Sequence, residues 1–197
     1  MTAELVEDVT LRMPRLRGWT WADLQEIRDD GHRYEIIDGS LYVSASPTPR
    51  HQVAAHRLAI LLSDAAPEDV EVVPAVDIDF GPSVLEPDVL VVPSAAAFSG
   101  RPKFVPEDLL SAVEVVSPSS RRMDRMVKPS ILAEFGVPAH WRVELDGPDA
   151  PLVVVCALGG GAYQEVVTIR AGESVTVDVP FPVEVRPAEL AGPRRRS

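Results

Sequence analysis

Glu86-Pro87-Asp88-Val89-Leu90-Val91-Val92 and, further on, Ser111-Ala112-Val113-Glu114-Val115-Val116-Ser117 decide how this chain folds. Each contains a short apolar run of the kind that central strands show when both faces are buried. Each also carries a carboxylate where such a strand has no use for one. Burying a carboxylate without a partner costs on the order of several kcal/mol, so buried acids are paired or bind a metal. If these strands are central, Asp88 and Glu114 need a compensating charge. Lys128 follows on a helix-like stretch after Asp124. Two strand acids with a lysine nearby suit a hard divalent cation and a phosphodiester.

Working outward, the flanks read as an α/β (α+β) arrangement. Thr20-Trp21-Ala22-Asp23-Leu24 opens a short helix, with Thr20 and Asp23 spaced as a capping box and Gly31 as its stop. Arg33–Val43 reads as strand, Asp38-Gly39 turn, strand, which is a strong hairpin signal. After Pro47 and Pro49, residues 50–64 place Ala54, Leu58, Leu61 and Leu62 at helical spacing. Val70–Phe80 alternates like one half-exposed strand, and Leu85–Val92 and Ala112–Val116 read as central strands. Residues 93–108 read as a loop. Asp124–Phe135 is helical, starting late or kinked because of Pro129, and Gly136 stops it.

His140–Leu145 is a further strand. Beyond it, short strands joined by Gly and Pro turns form a C-terminal β-meander. The expected organisation is a lead-in over 1–19, a core over 20–146, strands of the same domain over 147–190 and a basic tail over 191–197. Lengths near 200 residues suit one domain.

Composition narrows the function. The net charge of −11 opposes a simple DNA-binding module, because phosphate contacts rely on Lys and Arg. It does not oppose a metal-dependent nuclease, whose acids are neutralised by the ion and whose cations can be local. Arg121, Arg122, Arg125 and Lys128 are one such cluster, and Arg194-Arg195-Arg196 reads as a solvated tail. A single cysteine, Cys156, rules out an intramolecular disulfide framework. No signal-peptide pattern or membrane-length apolar run is visible, so a cytoplasmic protein without membrane contact is expected.

The order of these pieces resembles the restriction-endonuclease-like superfamily, named for its Pro-Asp…(Asp/Glu)-X-Lys signature. More closely it resembles the putative restriction endonuclease family, long catalogued as a domain of unknown function and abundant in cyanobacteria and actinobacteria. The resemblance is carried by Tyr34-Glu35-Ile36-Ile37-Asp38-Gly39, Ser46-Pro47 with His51, Pro87-Asp88-Val89, Glu114-Val115-Val116-Ser117-Pro118-Ser119, Asp124 with Lys128, and Gly136-Val137-Pro138 before Trp141. It implies a mixed sheet flanked by helices and a Mg²⁺- or Mn²⁺-dependent endonuclease acting on nucleic acid, chiefly DNA. Asp88 and Glu114 would be its metal ligands, Lys128 its catalytic cation and Glu35 a supporting acid. A two-fold homodimer would suit the cutting of two strands.

The chain departs from the pattern at Val116, where the signature places lysine, and at Leu132 and Ala139-His140, where relatives carry Tyr and Glu-Tyr. Lys128 is the nearest replacement. If it does not reach the acids, the alternative is a catalytically degraded scaffold or partner-binding module. Other polar residues have plainer readings. Asp124 is expected to be a charge at a helix N-terminus, His51 a surface histidine, and Asp77 and Asp79 solvated strand residues. Gly159-Gly160-Gly161 is expected to be a hairpin turn and Cys156 a core residue. Losing the Asp88 charge is expected to spare the fold and to relieve repulsion between metal-free carboxylates.

Overall fold

A computed structural model describes residues 17–27 and 31–193. The lead-in before residue 17 and the Arg194-Arg195-Arg196 tail lie outside the described residues. The helix α1 (Trp21–Leu24) is shorter than expected and ends well before Gly31. Its start is tied by Asp23, whose carboxylate accepts the Thr20 N–H at 2.9 Å and the Thr20 hydroxyl at 2.7 Å. The threonine hydroxyl therefore donates to the acid, where a cap would accept from the backbone.

The hairpin forms as expected. β1 (Arg33–Ile37) and β2 (Ser40–Ser44) pair antiparallel, with Ile37 opposite Ser40. The two residues between them take positive φ, 48° at Asp38 and 74° at Gly39, as a two-residue primed turn requires. The helix α2 (Pro49–Ala65) follows. The Thr48 hydroxyl accepts the His51 N–H at 3.3 Å, and Pro49 fills the first turn, where no amide donor is needed.

Two expected strands are each divided. The Val70–Phe80 stretch becomes β3 (Val70–Pro74) and β4 (Ile78–Asp79), which lie in different sheets. Between them Ala75 takes φ 44°, a left-handed conformation that ends a strand. The Leu85–Val92 stretch becomes β5 (Val84–Leu85) and β6 (Val89–Pro93). Glu86-Pro87-Asp88 is the joint, and Pro87 has no N–H to continue a ladder. The expected loop holds a short helix, α3 (Ser94–Ala97), and a 3-10 turn at Pro106–Asp108.

After β7 (Ser111–Val116) the chain makes a π turn over Met123–Val127 and then α4 (Lys128–Glu134). Proline at 129 removes an amide donor and its ring crowds the carbonyl of Arg125, four residues back. The widened turn falls where that crowding falls. β8 (Ala139–Glu144), β9 (Leu152–Gly159) and β10 (Ala162–Arg170) complete the larger sheet. β11 (Val175–Val177) and β12 (Val183–Val185) form a separate ribbon, and α5 (Pro187–Leu190) closes the described chain.

The larger sheet has the order β10-β9-β8-β7-β6-β3 and the smaller one β2-β1-β5-β4. Only β7 and β8 run parallel in the larger sheet, joined across α4; its other pairs are antiparallel. The architecture is a mixed α+β fold with several sheets flanked by helices.

Alternation along β6, β7 and β8 sends side chains to two cores. Val89, Val91, Val113, Val115, Trp141 and Val143 pack with Ala54, Leu58 and Leu62 of α2, and Val177, Phe181, Val183 and Val185 seal that core. Leu90, Val92 and Ala112 pack on the opposite face with Ile131 and Leu132 of α4. Each fully buried Leu on α2 contributes roughly 1.5–3 kcal/mol from burial. The smaller sheet stands beyond the Glu86-Pro87-Asp88 joint with its own cluster of Trp19, Ile36, Leu41 and Val84.

Gly160 and Gly161 form the β9–β10 turn with positive φ, as expected for that glycine run. Cys156, expected in the core, is half-buried.

Candidate active site

The joint between the sheets opens a cleft of about 920 Å³ lined by residues from both sheets and both major helices. The hairpin supplies Arg33 and Glu35, α2 supplies His51, the joint supplies Asp88, β7 supplies Glu114, and the α4 region supplies Asp124 and Lys128. Asp88 directly precedes β6, whose Val89 pairs with Val113 of β7. Asp88 and Glu114 thus sit side by side on neighbouring strands and line the same space. All seven of these side chains are buried except Arg33, which is half-buried.

Lys128 is the centre of the charge arrangement. Its ammonium lies 2.9 Å from Glu35, 3.1 Å from Glu114 and 3.5 Å from Asp124. Burial opposes its charge, but Glu114, Glu35 and Asp124 outweigh that and raise its pKa, so it stays protonated. Glu114 is completely desolvated, and burial pushes its carboxyl well above the usual range despite the Lys128 charge. Its Oε1 accepts no hydrogen bond although Lys128 is close, and Asp124 Oδ1 is likewise buried without a hydrogen bond. Asp124 is fixed from behind by Ser120, whose hydroxyl donates to Oδ2. Ser120 is held in turn by mutual hydrogen bonds with Ser117.

Asp88 is in the opposite situation. Its Oδ1 accepts from Arg33 at 2.8 Å, and its Oδ2 accepts the Val115 N–H at 2.8 Å with His51 Nε2 at 3.1 Å. Burial works to raise its pKa. The His51 hydrogen bond, the Arg33 charge and the Val115 amide outweigh that and hold it at about 2. Asp88 is therefore a fixed anion with compensated charge. The expectation that removing its charge relieves repulsion runs against this pairing, because Arg33 would keep only the more distant Glu86, at 3.9 Å.

The structure brings together all of the acids and the lysine singled out in the sequence. It corrects several plainer readings. Asp124 does stand in the first turn of its helical segment, as expected, but it is buried and lines the cleft. It stands four residues before Lys128, a spacing that pairs side chains on one helix face and was visible in the sequence. His51 is buried against Asp88, not at the surface. Arg33 has no local signal, because its partner is 55 positions away in the chain. Asp77 and Asp79 are half-buried rather than solvated. Asp77 accepts from Trp21 Nε1 at 2.9 Å, and Asp79 pairs with Lys103. His140, in place of an expected tyrosine, is buried; desolvation, with lesser help from Arg142 and Lys128, pushes its imidazole down to about 3.

A mixed sheet with a charged cleft at the end of its central strands defines the class, a nuclease-like α+β fold. The sequence profile of the family described as "Putative restriction endonuclease" (Uma2) matches residues 21–191, so the chain belongs to that family. Family membership gives the general class of action, nuclease chemistry on phosphodiester bonds. In fold, the chain is similar to a crystal structure described as a putative nuclease belonging to DUF820 from Anabaena variabilis. The TM-score is 0.62 at 16% identity, covering 82% of this chain and 89% of that one. No curated protein matches the sequence. No helix among the described residues is long and apolar enough to cross a membrane.

Proposed function

We propose that this protein is a divalent-metal-dependent endonuclease that hydrolyses phosphodiester bonds of DNA. The observation that carries this reading is the convergence of Asp88, Glu114, Glu35 and Lys128 on one cleft, with the Lys128 ammonium bracketed by Glu35 and Glu114.

Asp88 and Glu114 would hold Mg²⁺ or Mn²⁺. Their oxygens are the hard donors these ions select, and Mg²⁺ is commonly held by one or two carboxylates with water and substrate oxygens. The Glu114 Oε1 accepts no hydrogen bond and faces only the Lys128 ammonium at 3.1 Å inside the cleft. Among the described residues no group of three or more His, Cys, Asp or Glu side chains stands together as a ready-made metal centre. The reading thus requires two protein carboxylates completed by water and phosphate, rather than an all-protein cage. Such an ion polarises a phosphate and lowers the pKa of bound water.

The remaining work belongs to the chain. Lys128 presents a permanent positive charge to the negative charge that develops on the phosphate. Glu35 and Asp124 hold that ammonium from two sides, which fixes its direction. Arg33, His51 and the Val115 amide fix the Asp88 carboxylate. Lys128 on the helix takes over what Val116 cannot supply on the strand, and this weighs against the degraded-scaffold alternative.

Cleavage of circular DNA, duplex and single-stranded, tests the reading. Nicking or linearisation with Mg²⁺ or Mn²⁺, abolished by EDTA and slowed about 10²- to 10³-fold by Lys128→Ala, is expected. No cleavage under any metal condition, with intact folding, would move the assignment to the scaffold alternative.

A further inference from the structure

We propose that the cleft takes single-stranded nucleic acid and that Tyr42 is the platform on which a base stacks beside the reacting phosphate. This rests on the nuclease reading above and specifies its substrate.

The hairpin register places Tyr42 directly opposite Glu35, and Ser44 directly opposite Arg33. Residues opposite each other in an antiparallel pair project to the same face. Tyr42 therefore shares the face that carries Arg33 and Glu35 into the cleft, and it lines the cleft itself. It is 37% exposed, the most exposed position of the hairpin strands that line the cleft with a large apolar body. An open aromatic ring beside a phosphate-handling site stacks on any base whose face is free. Bases in an intact duplex offer no such face.

The cations argue in the same direction. Arg33 and Lys128 are the two Lys or Arg side chains among the residues lining the cleft, against Glu35, Asp88, Glu114 and Asp124. Both are paired with those acids, which leaves Lys128 for the reacting phosphate and neither for tracking further backbone. Arg121 and Arg122, exposed just past the lining Ser120, are the nearest additional Arg side chains in the chain segment. Duplex recognition of the usual kind uses about six to ten phosphate contacts. Two exposed arginines in the segment that follows the lining Ser120 suit one flexible strand, held by stacking more than by charge.

The test is fluorescence anisotropy with labelled oligo(dT), oligo(U) and a matched DNA duplex, with Ca²⁺ in place of Mg²⁺. Both single strands are expected to bind at least about tenfold tighter than the duplex. The slope of log K on log salt is expected to be about −1.4, two phosphates at about 0.7 each. Tyr42→Ala is expected to weaken single-strand binding roughly 5- to 150-fold, the loss of one stacked base. Tyr42→Phe is expected to keep binding, and Tyr42→Leu to behave like alanine although it preserves apolar bulk. The two oligonucleotides show whether the sugar matters. Tighter duplex binding with a slope near −5 or steeper, or an unchanged Tyr42→Ala, overturns the inference and leaves the nuclease reading standing. Absence of binding to every oligonucleotide overturns both.

Discussion

β7 presents two unlike faces built from alternate positions of one six-residue strand. On the α2 side, Val113 and Val115 enter a dry core with Leu58, Leu62 and Trp141. On the other side, Glu114, as buried as those valines, meets Lys128 in a cleft whose other acids are also buried. The apolar face is held by many weak, undirected contacts, so its contribution grows with area and tolerates exchange of like for like. The charged face is held by a few directed pairs, so it fails when one partner is removed. β7 thus gives one side to the dry core and divides the other between Ala112 in the second core and Glu114 in the cleft.

The largest effect expected is on the charged side. Asp88→Asn leaves the Arg33 guanidinium with only Glu86, 3.9 Å away, as an ion-pair partner and should destabilise the protein by up to about 3–5 kcal/mol, the cost of breaking a buried pair from one side. Urea unfolding followed by tryptophan fluorescence measures it. An increase in stability would mean that the cleft carboxylates repel one another and that the pairing described here is energetically idle. On the apolar side, Leu58→Ala should cost about 2–5 kcal/mol through transfer and cavity terms. Turnover per folded molecule should be unchanged, and a fall in turnover would show that the two faces are not independent.

Lys128→Ala should lower turnover by about 10²–10³, the loss of one preorganised electrostatic group. The affinity for Mn²⁺, read by calorimetry, should not fall, since three carboxylates are released from an internal cation. A loss of metal binding would recast Lys128 as a structural support.

The most gradual effect concerns pH. His140 titrates at about 3 in the folded protein and near 6.5 when unfolded. The unfolded chain therefore takes up this proton first. The stability it protects is complete above about pH 6.5 and falls as pH drops toward 3, by up to about 1.4 kcal/mol per pH unit. Comparing the wild type with His140→Phe isolates this slope from the carboxylates. Equal slopes in the two proteins would show that the imidazole is not held neutral.

Much of this arrangement was legible in the sequence wherever neighbouring residues decide the outcome. Asp38-Gly39 specifies its turn through backbone conformation alone, and the α2 face follows from spacing. The acids at 88 and 114 stand out because their apolar neighbours make burial certain. The breaks at Ala75 and at Glu86-Pro87-Asp88 were less legible, because a strand that changes sheets keeps its apolar alternation. His51, Arg33 and the burial of Asp124 depend on contacts between elements far apart in the chain. Only the four-residue spacing of Asp124 and Lys128 gave a local hint.

The π turn at Met123–Val127 gives the fold an aiming mechanism that operates through chain length. It winds more backbone into a turn than a regular α-helix does. Restoring ordinary winding there without removing a residue would rotate the flanking segments by about 100° relative to each other. Lys128 would then swing away from Glu35 and Glu114 while every cleft side chain remained chemically intact. A single substitution that lets this turn tighten could disarm the cleft, and a comparison that checks only whether Asp88, Glu114 and Lys128 are present would miss it.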